Sequence, residues 1–343
     1  MNFAMWRKAL NVIPDVSKEE WDGLDVVSKW LISTRAAVLV MTFISAALAG
    51  LFAWRDGSFN FLPWIALTLG LILAHASNNI FNDYTDFVRG VDKDNYYRNI
   101  YGAQPVASGL MSKRQHLTYF AVTALIALVI GIYLVAYTGY SDTTWTLLGL
   151  GAFFLLFYTW PLKGMALGEV AVLIVWGPLM IGGGHYVLTQ EWNWFVVLAS
   201  LPYVLGVTTV IFGKHIDKLD MDTKKGIHTL PVVIGEKASR YAVLAMMIAP
   251  YLLTVYLIMA KFFTPVMAIV FFAVPAFLKI YPIFLKPKPT TRPEGQLGWP
   301  LYFVGYAFFN NRKFGSLFMI GLLIDVFLRV IPFTAELIRL YWS

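Results

Sequence analysis

Two stretches of this chain place carboxylates at spacings that could do chemistry. "NNIFNDYTDFVRGVDKDNYYR" carries Asp83, Asp86 and Asp92, and "KHIDKLDMDTKKGIHTLPVVIGEK" carries Asp217, Asp220 and Asp222. Asp83 and Asp86 are three apart, as are Asp217 and Asp220, so on a helix each pair projects from one face. Like charges held that close repel, which makes such a pair a poor structural device unless a cation neutralises it. Carboxylates in threes, with Asn78, Asn79 and Asn82 as further oxygen donors, suit a hard divalent ion such as magnesium, which binds through one or two carboxylates and substrate phosphate. The lysines and arginines interleaved with the acids would meet the phosphate oxygens that a metal leaves uncovered. A diphosphate bridged by magnesium to both clusters is the economical reading. The plainer alternative, acids merely solvated in polar loops, accounts for one such cluster more easily than for two.

The elements that position these residues are membrane-spanning. The chain has 343 residues, 58% of them hydrophobic and 14% charged, with a net charge of +7. That charged fraction is about half the usual for a water-facing surface. Apolar runs long enough to cross a bilayer as helices lie at about 36–54, 60–80, 117–137, 144–160, 167–188, 194–212, 240–259, 263–284 and 314–332. The expected fold is therefore an all-α integral membrane protein of nine transmembrane helices, in one domain over 1–343. Both acidic stretches then leave the membrane on the same side.

Lysine and arginine crowd that side. Arg7, Lys8, Arg35, Arg89, Lys93, Arg98, Lys163, Lys214, Lys218, Lys224, Lys286 and Arg312 are among them, whereas the opposite loops hold little beyond Arg55 and Lys261. The asymmetry predicts a cytoplasmic N-terminus and cytoplasmic acidic loops in the cell membrane. The positive net charge is thus a topology signal, and no nucleic-acid surface is expected. Cysteine is absent, which excludes disulfide and thiol chemistry. No cleavable leader is expected, and "SKEEWDGLDVVSKWL" within residues 1–35 reads as an interfacial helix opened by a Ser17 and Glu20 capping box. Residues 286–313 form a further cytoplasmic loop that begins proline-rich.

At these residues the sequence resembles the UbiA superfamily of intramembrane prenyltransferases. The first motif is similar to that of its menaquinone branch, the 1,4-dihydroxy-2-naphthoate prenyltransferases, at Asn82, Asp83, Tyr84, Asp86, Gly90 and Asp92. Pro105, Ser108 and Gly109 match a following segment. "FYTWPLKGMALGEVAVLIVWGP" resembles the branch through Tyr158, Thr159, Pro161, Lys163, Gly168, Glu169, Gly177 and Pro178. The second motif matches at Lys214, Asp222, Gly226, Thr229, Leu230, Pro231, Val232 and Gly235. The chain also departs from the pattern: the usual carboxylates of the second motif map onto His215 and Lys218, Gln104 stands where many members have arginine, and Gly213 where this branch tends to have asparagine.

The resemblance implies a nine-helix bundle with a cytoplasmic-side cavity and a magnesium-dependent transfer from a polyprenyl diphosphate to a small aromatic or quinone-precursor acceptor. It implies one magnesium on Asp83, Asp86 and Asp92 and another on Asp217, Asp220 and Asp222, with Lys163, Lys214, Arg98 and Lys224 toward phosphate oxygens. Phe81, Tyr84, Tyr158 and Trp160 would offer aromatic faces to an allylic cation, although aromatics at helix ends also serve as interfacial anchors. Glu169 would orient the acceptor's hydroxyl or accept its proton, or else be a paired structural carboxylate; His75 reads as a satisfied core histidine. A cyclase or lipid prenyltransferase of the same superfamily is the second reading. A transporter is a remote third, since its acids would lie at mid-bilayer.

Overall fold

The computed structural model describes residues 1–91, 102–295 and 299–331, together with Thr334, Glu336, Ile338 and Trp342. Among these residues the protein is helical, with one isolated bridge pairing Met165 and His228. The helices are α1 (Phe3–Asn11), α2 (Lys18–Asp22), α3 (Val26–Ser33), α4 (Val40–Arg55), α5 (Phe61–Val88), α6 (Lys113–Tyr137) and α7 (Asp142–Phe157). There follow α8 (Gly168–Thr189), α9 (Trp194–Asp217), α10 (Leu219–Lys224), α11 (Leu230–Met259), α12 (Pro265–Leu285) and α13 (Phe303–Val330). Among the described residues, seven helical segments are long and apolar enough to cross a membrane: α4 with the turn before it, α5, α6, α8, α9, α11 and α12. The chain is accordingly a multi-pass membrane protein. Of the nine expected spans, the one at 144–160 is the shorter helix α7, and the one at 314–332 belongs to α13, which begins eleven residues earlier at Phe303 and carries Arg312, Lys313, Asp325 and Arg329.

The chain divides into two compact units, residues 1–46 with 61–161 and residues 47–60 with 162–343. In the first, α5 packs along α6 and against α7. Where the sequence suggested one interfacial helix, two short ones form. Ser17 caps α2 by accepting the Glu20 amide, the helix ends at Gly23, and Asp25 Oδ1 accepts the Ser28 amide to open α3. Trp21, Leu24 and Leu31 join Met5, Ala9 and Ile32 in a buried cluster that also takes in Ala103, Leu110 and Met111 from the loop after the first acidic motif. The N-terminal segment is thus part of this unit's core.

In the second unit, α9 runs against α11 and α13, and Phe212, Ile216, Met247, Phe284, Phe303 and Ala307 form the buried centre. α8 widens to a π-helix over Val175–Gly183, where Pro178 cannot donate to a regular helical ladder. Gly177 there meets α9 closely, since a Cβ would lie 3.0 Å from both Ser200 Oγ and Val204 Cγ1.

Candidate active site

The first acidic motif is carried by the last turns of α5. Because α5 stays helical to Val88, Asp83 and Asp86 fall on one face, and both side chains are buried, each 3% exposed. A buried carboxylate is tolerable only when paired or hydrogen-bonded. The Arg35 guanidinium ion-pairs with Asp83, and the same Nη2 donates to Gln104 Oε1 at 2.8 Å. Arg35 reaches them from a left-handed backbone conformation, φ 53°, which costs a non-glycine residue about 1 to 3 kcal/mol unless its surroundings compensate. Neither Arg35 nor Gln104 was placed at this site by sequence reasoning, and no short-range spacing signals the meeting, which spans 48 and 69 residues of chain.

The asparagines of this segment brace the helix. Asn79 Nδ2 donates to the Thr34 carbonyl, Asn78 Nδ2 to the Leu155 carbonyl and Asn82 Nδ2 to Thr159 Oγ1, each at 2.8 Å. Deeper in α5, His75 Nδ1 shares a 2.8 Å hydrogen bond with Thr42 Oγ1 in the unit's interior. Phe81 stacks on Phe120 with centroids 4.9 Å apart, and the Arg89 guanidinium lies 5.1 Å over the half-exposed Trp160 ring. Tyr84 and Tyr158 are half-buried. Asp92 and Arg98 lie outside the described residues.

The second motif, at the C-terminal end of α9 and in α10, disperses its acids over different tasks. Asp217 Oδ2 accepts the amides of Tyr302 and Val304, at 2.9 and 3.1 Å, and Oδ1 that of Phe303, at 3.0 Å. It thereby caps α13, whose first amides have no intrahelical acceptor and whose dipole favours a negative charge there. Lys288 Nζ adds a hydrogen bond to the Asp217 carbonyl at 3.1 Å and stands 3.5 Å from Oδ1. Gly213, one turn back, permits this approach: a Cβ would lie 2.9 Å from Val304 N and Cα. Asp220 is exposed. Asp222 is 2% exposed and ion-paired with Lys218, whose Nζ lies 3.1 Å from Oδ1.

Asp217, Asp220 and Asp222, expected round one ion, are placed apart: Asp217 caps α13, Asp220 is exposed and Asp222 holds Lys218. Among the described residues, no cluster of three or more His, Asp or Glu side chains could hold a metal ion. The donor set of the first motif, two buried carboxylates on one helix face, fits a hard divalent ion that completes its shell with phosphate and water. The donor set of the second does not.

Glu169, one residue into α8, has a partner that sequence spacing concealed. Its Oε1 lies 2.6 Å from His215 Nδ1 on α9, with the two residues only 1% and 2% exposed. Glu169 Oε2 is buried with no hydrogen-bond partner among the described residues. A carboxylate on one ring nitrogen fixes the imidazole's orientation and tautomer, leaving the other nitrogen to exchange a proton. Lys163 is buried in the turn before α8, Lys214 is half-buried and Lys224 is exposed. At the other end of α9 a cavity of about 340 Å³ is lined by Asp56, His185, Glu191, Trp192 and Trp194. It lies a whole helix length from the second motif.

Buried carboxylates, an imidazole and lysines at the ends of long apolar helices define a membrane protein that concentrates charged groups where its helices end. Residues 43–311 match the UbiA prenyltransferase family, and the chain belongs to that family of enzymes, which transfer prenyl groups. It is 25% identical over 301 residues to the 1,4-dihydroxy-2-naphthoate octaprenyltransferase of Bacillus subtilis, covering 86% of this chain and 92% of that protein. It is also 25% identical over 220 residues to the UbiA prenyltransferase domain-containing protein 1 homolog of Drosophila melanogaster, a match that covers 63% of this chain and 59% of the relative. A solved UbiA homolog from Archaeoglobus fulgidus, bound to DMAPP and Mg2+, has the same fold with a TM-score of 0.56 at 14% identity, over 85% of this chain and 99% of that one.

Proposed function

We propose that the chain transfers a polyprenyl group from polyprenyl diphosphate to a small aromatic or quinone-precursor acceptor, a 1,4-dihydroxy-2-naphthoate-like acid, in prenylquinone synthesis. The observation that carries this reading is the buried Asp83 and Asp86 pair on one face at the mouth of a membrane-spanning helix, a concentration of negative charge that already draws the Arg35 guanidinium to Asp83. The name of the Bacillus subtilis relative supports the acceptor class. The one-sided lysines and arginines support an active-site face, with its cavity, on the cytoplasmic side of the cell membrane.

In this reading Asp83, Asp86 and Asp92 hold magnesium, with Asn79 and Asn82 keeping α5 in register. When bound, the ion supplies Lewis-acid stabilisation of the departing diphosphate. Lys163, Lys214, Arg98 and Lys224 neutralise the remaining phosphate oxygens. Tyr84 and Tyr158 present ring faces to the allylic cation and help exclude water from it. His215, oriented by Glu169, takes the proton that the acceptor loses as its new bond to the prenyl carbon forms.

The test is mass spectrometry of products from the purified protein in detergent, supplied with farnesyl or geranylgeranyl diphosphate, with and without magnesium and 1,4-dihydroxy-2-naphthoate. A magnesium-dependent prenylated naphthalenediol, seen as the quinone after oxidation by air, is the expected result. Diphosphate release yielding a hydrocarbon or a prenylated lipid overturns the acceptor, and no release with any donor overturns the whole reading.

A further inference from the structure

At the start of α9, a helix length from the second acidic motif, the cavity of about 340 Å³ lies wholly within one compact unit. The proposed transfer gives it no task, yet its size suits a small ligand or the headgroup of a larger one. The loop that builds it is fixed by its own hydrogen bonds. Gln190 ends α8 at φ 60°, Thr189 Oγ1 accepts the Glu191 amide at 3.1 Å, and Asn193 Oδ1 accepts the Phe195 and Val196 amides to start α9. Glu191, Trp192 and Trp194 are thereby held on the cavity wall.

The charges of this wall do not balance. Asp56 is already met, by Arg55 Nε at 2.9 Å from Oδ1 and by His185 Nε2 at 2.9 Å from Oδ2. The Arg55 guanidinium is itself seated 4.0 Å over the Phe262 ring. Glu191 is exposed and makes no ion pair among the described residues. With His185 neutral, two carboxylates against one guanidinium leave the cavity negative. Beside Glu191, the rings of Trp192 and Trp194 meet edge to face, with centroids 5.5 Å apart and planes at 78°. Ring faces carry the negative side of the aromatic quadrupole, so two of them near a right angle favour a cation. The helix ends agree: α4 and α8 finish beside the cavity, and the carbonyl end of a helix favours positive charge, whereas the first amides of α9 are taken up by Asn193. Tryptophans at a helix end can serve as membrane anchors alone, but an anchor needs no carboxylate. Asp56, His185 and Glu191 do not converge on a metal ion, as no three such side chains do among the described residues. The cation that fits is therefore organic.

We propose that this cavity binds the ammonium group of a small organic cation, free or as the headgroup of an aminophospholipid. Glu191 supplies the counter-charge, and Trp192 and Trp194 supply the ring faces. Trp194, 72% exposed, and the half-exposed Phe195 carry the wall outward onto apolar surface suited to a lipid's acyl chains. None of these residues belongs to the set assigned to prenyl transfer.

The experiment compares two lipids that differ only in the ammonium. The full chain in a non-ionic detergent is titrated with dihexanoyl phosphatidylethanolamine, with its N-acetyl derivative, and with ethanolamine; native mass spectrometry counts the bound molecules and tryptophan fluorescence gives the affinity. One phosphatidylethanolamine per chain is expected, bound roughly 5- to 100-fold more tightly than the N-acetyl lipid, the combined worth of one exposed ion pair and one cation–π contact. The double variant Glu191→Gln with Trp192→Ala should lose the same factor and leave the N-acetyl lipid unmoved. Ethanolamine binding as tightly as the lipid supports the site and assigns it to a free amine. Equal affinity for the two lipids, with no binding of ethanolamine, overturns the inference. Discrimination that survives in the double variant places the ammonium elsewhere and also refutes it. Should the double variant fail to fold, Glu191→Gln alone, at an exposed position, should still weaken phosphatidylethanolamine binding roughly 2- to 5-fold, and an unchanged affinity refutes the role of its carboxylate.

Discussion

Replacing Asp217 separates a structural carboxylate from a metal ligand. Its two oxygens accept three backbone amides at 2.9 to 3.1 Å, and Lys288 stands 3.5 Å from Oδ1. A hydrogen bond to a charged group contributes about 1.5 to 3 kcal/mol, and a buried donor left bare costs a comparable amount. The Phe303 amide is buried, whereas those of Tyr302 and Val304 are partly exposed and can recruit water. Lys288, 19% exposed, can turn to solvent. Asp217→Ala should therefore destabilise the protein by about 3 to 5 kcal/mol rather than the full sum of three bonds. Asp217→Asn, which keeps one acceptor oxygen but loses the charge at the helix start, should cost about 1.5 to 3 kcal/mol. Titration with SDS in mixed micelles, followed by near-ultraviolet circular dichroism, measures both. Binding of Mn2+ with the non-reactive analogue farnesyl thiolodiphosphate should match that of the unsubstituted protein, per folded chain, in the asparagine variant. A variant of native stability that had lost metal would refute the capping argument and restore Asp217 to a ligand role.

Three further perturbations follow from the same geometry. Gly213→Ala should destabilise by about 1 to 3 kcal/mol in the same SDS titration, because its Cβ meets the backbone of Val304 at 2.9 Å and not a flexible side chain; unchanged stability would show that α13 can shift at no cost. Glu169→Gln should lower turnover by about 10²- to 10⁴-fold with analogue affinity unaltered, as loss of a positioned proton acceptor does, whereas a loss below tenfold assigns the Glu169 and His215 pair to structure alone. Burial pushes the Asp56 carboxyl up, but hydrogen bonds from His185 and Arg55 and their charges outweigh it, leaving Asp56 below its ordinary value of 3.8. Its contribution is thus fully present above pH 3.8 and is lost as pH falls through the lowered value. Thermal unfolding of Asp56→Asn against pH should lack that part of the acid limb, and an identical pH profile would refute the assignment.

How far the sequence could be read depended on the range of the interaction. Long apolar runs located most of the spans, and the first motif followed from one helical step, since α5 stays regular past Asp86 and keeps Asp83 and Asp86 together. Helix starts were hidden wherever polar residues opened a helix: α11 is interrupted at Gly235 (φ 81°, ψ 161°) and resumes before its apolar run, with Glu236, Lys237 and Arg240 in the first turns after the kink. Arg240 is accommodated there by donating to the Phe284 carbonyl at 3.0 Å. The partners of Arg35, Asp217 and Glu169 are 46 or more residues away, and no local periodicity encodes them.

Lys218 is the instructive case, because its signal was local. A lysine four residues before an aspartate is the spacing of a helical ion pair, yet three acids in six residues suggested a metal cluster instead. What decided between the two was the fate of each acid separately. Asp217 faces the start of α13, Asp220 faces outward, and Asp222 alone is left to a lysine already within 3.1 Å. A count of carboxylates overstates a metal site whenever one of them is needed to cap a helix.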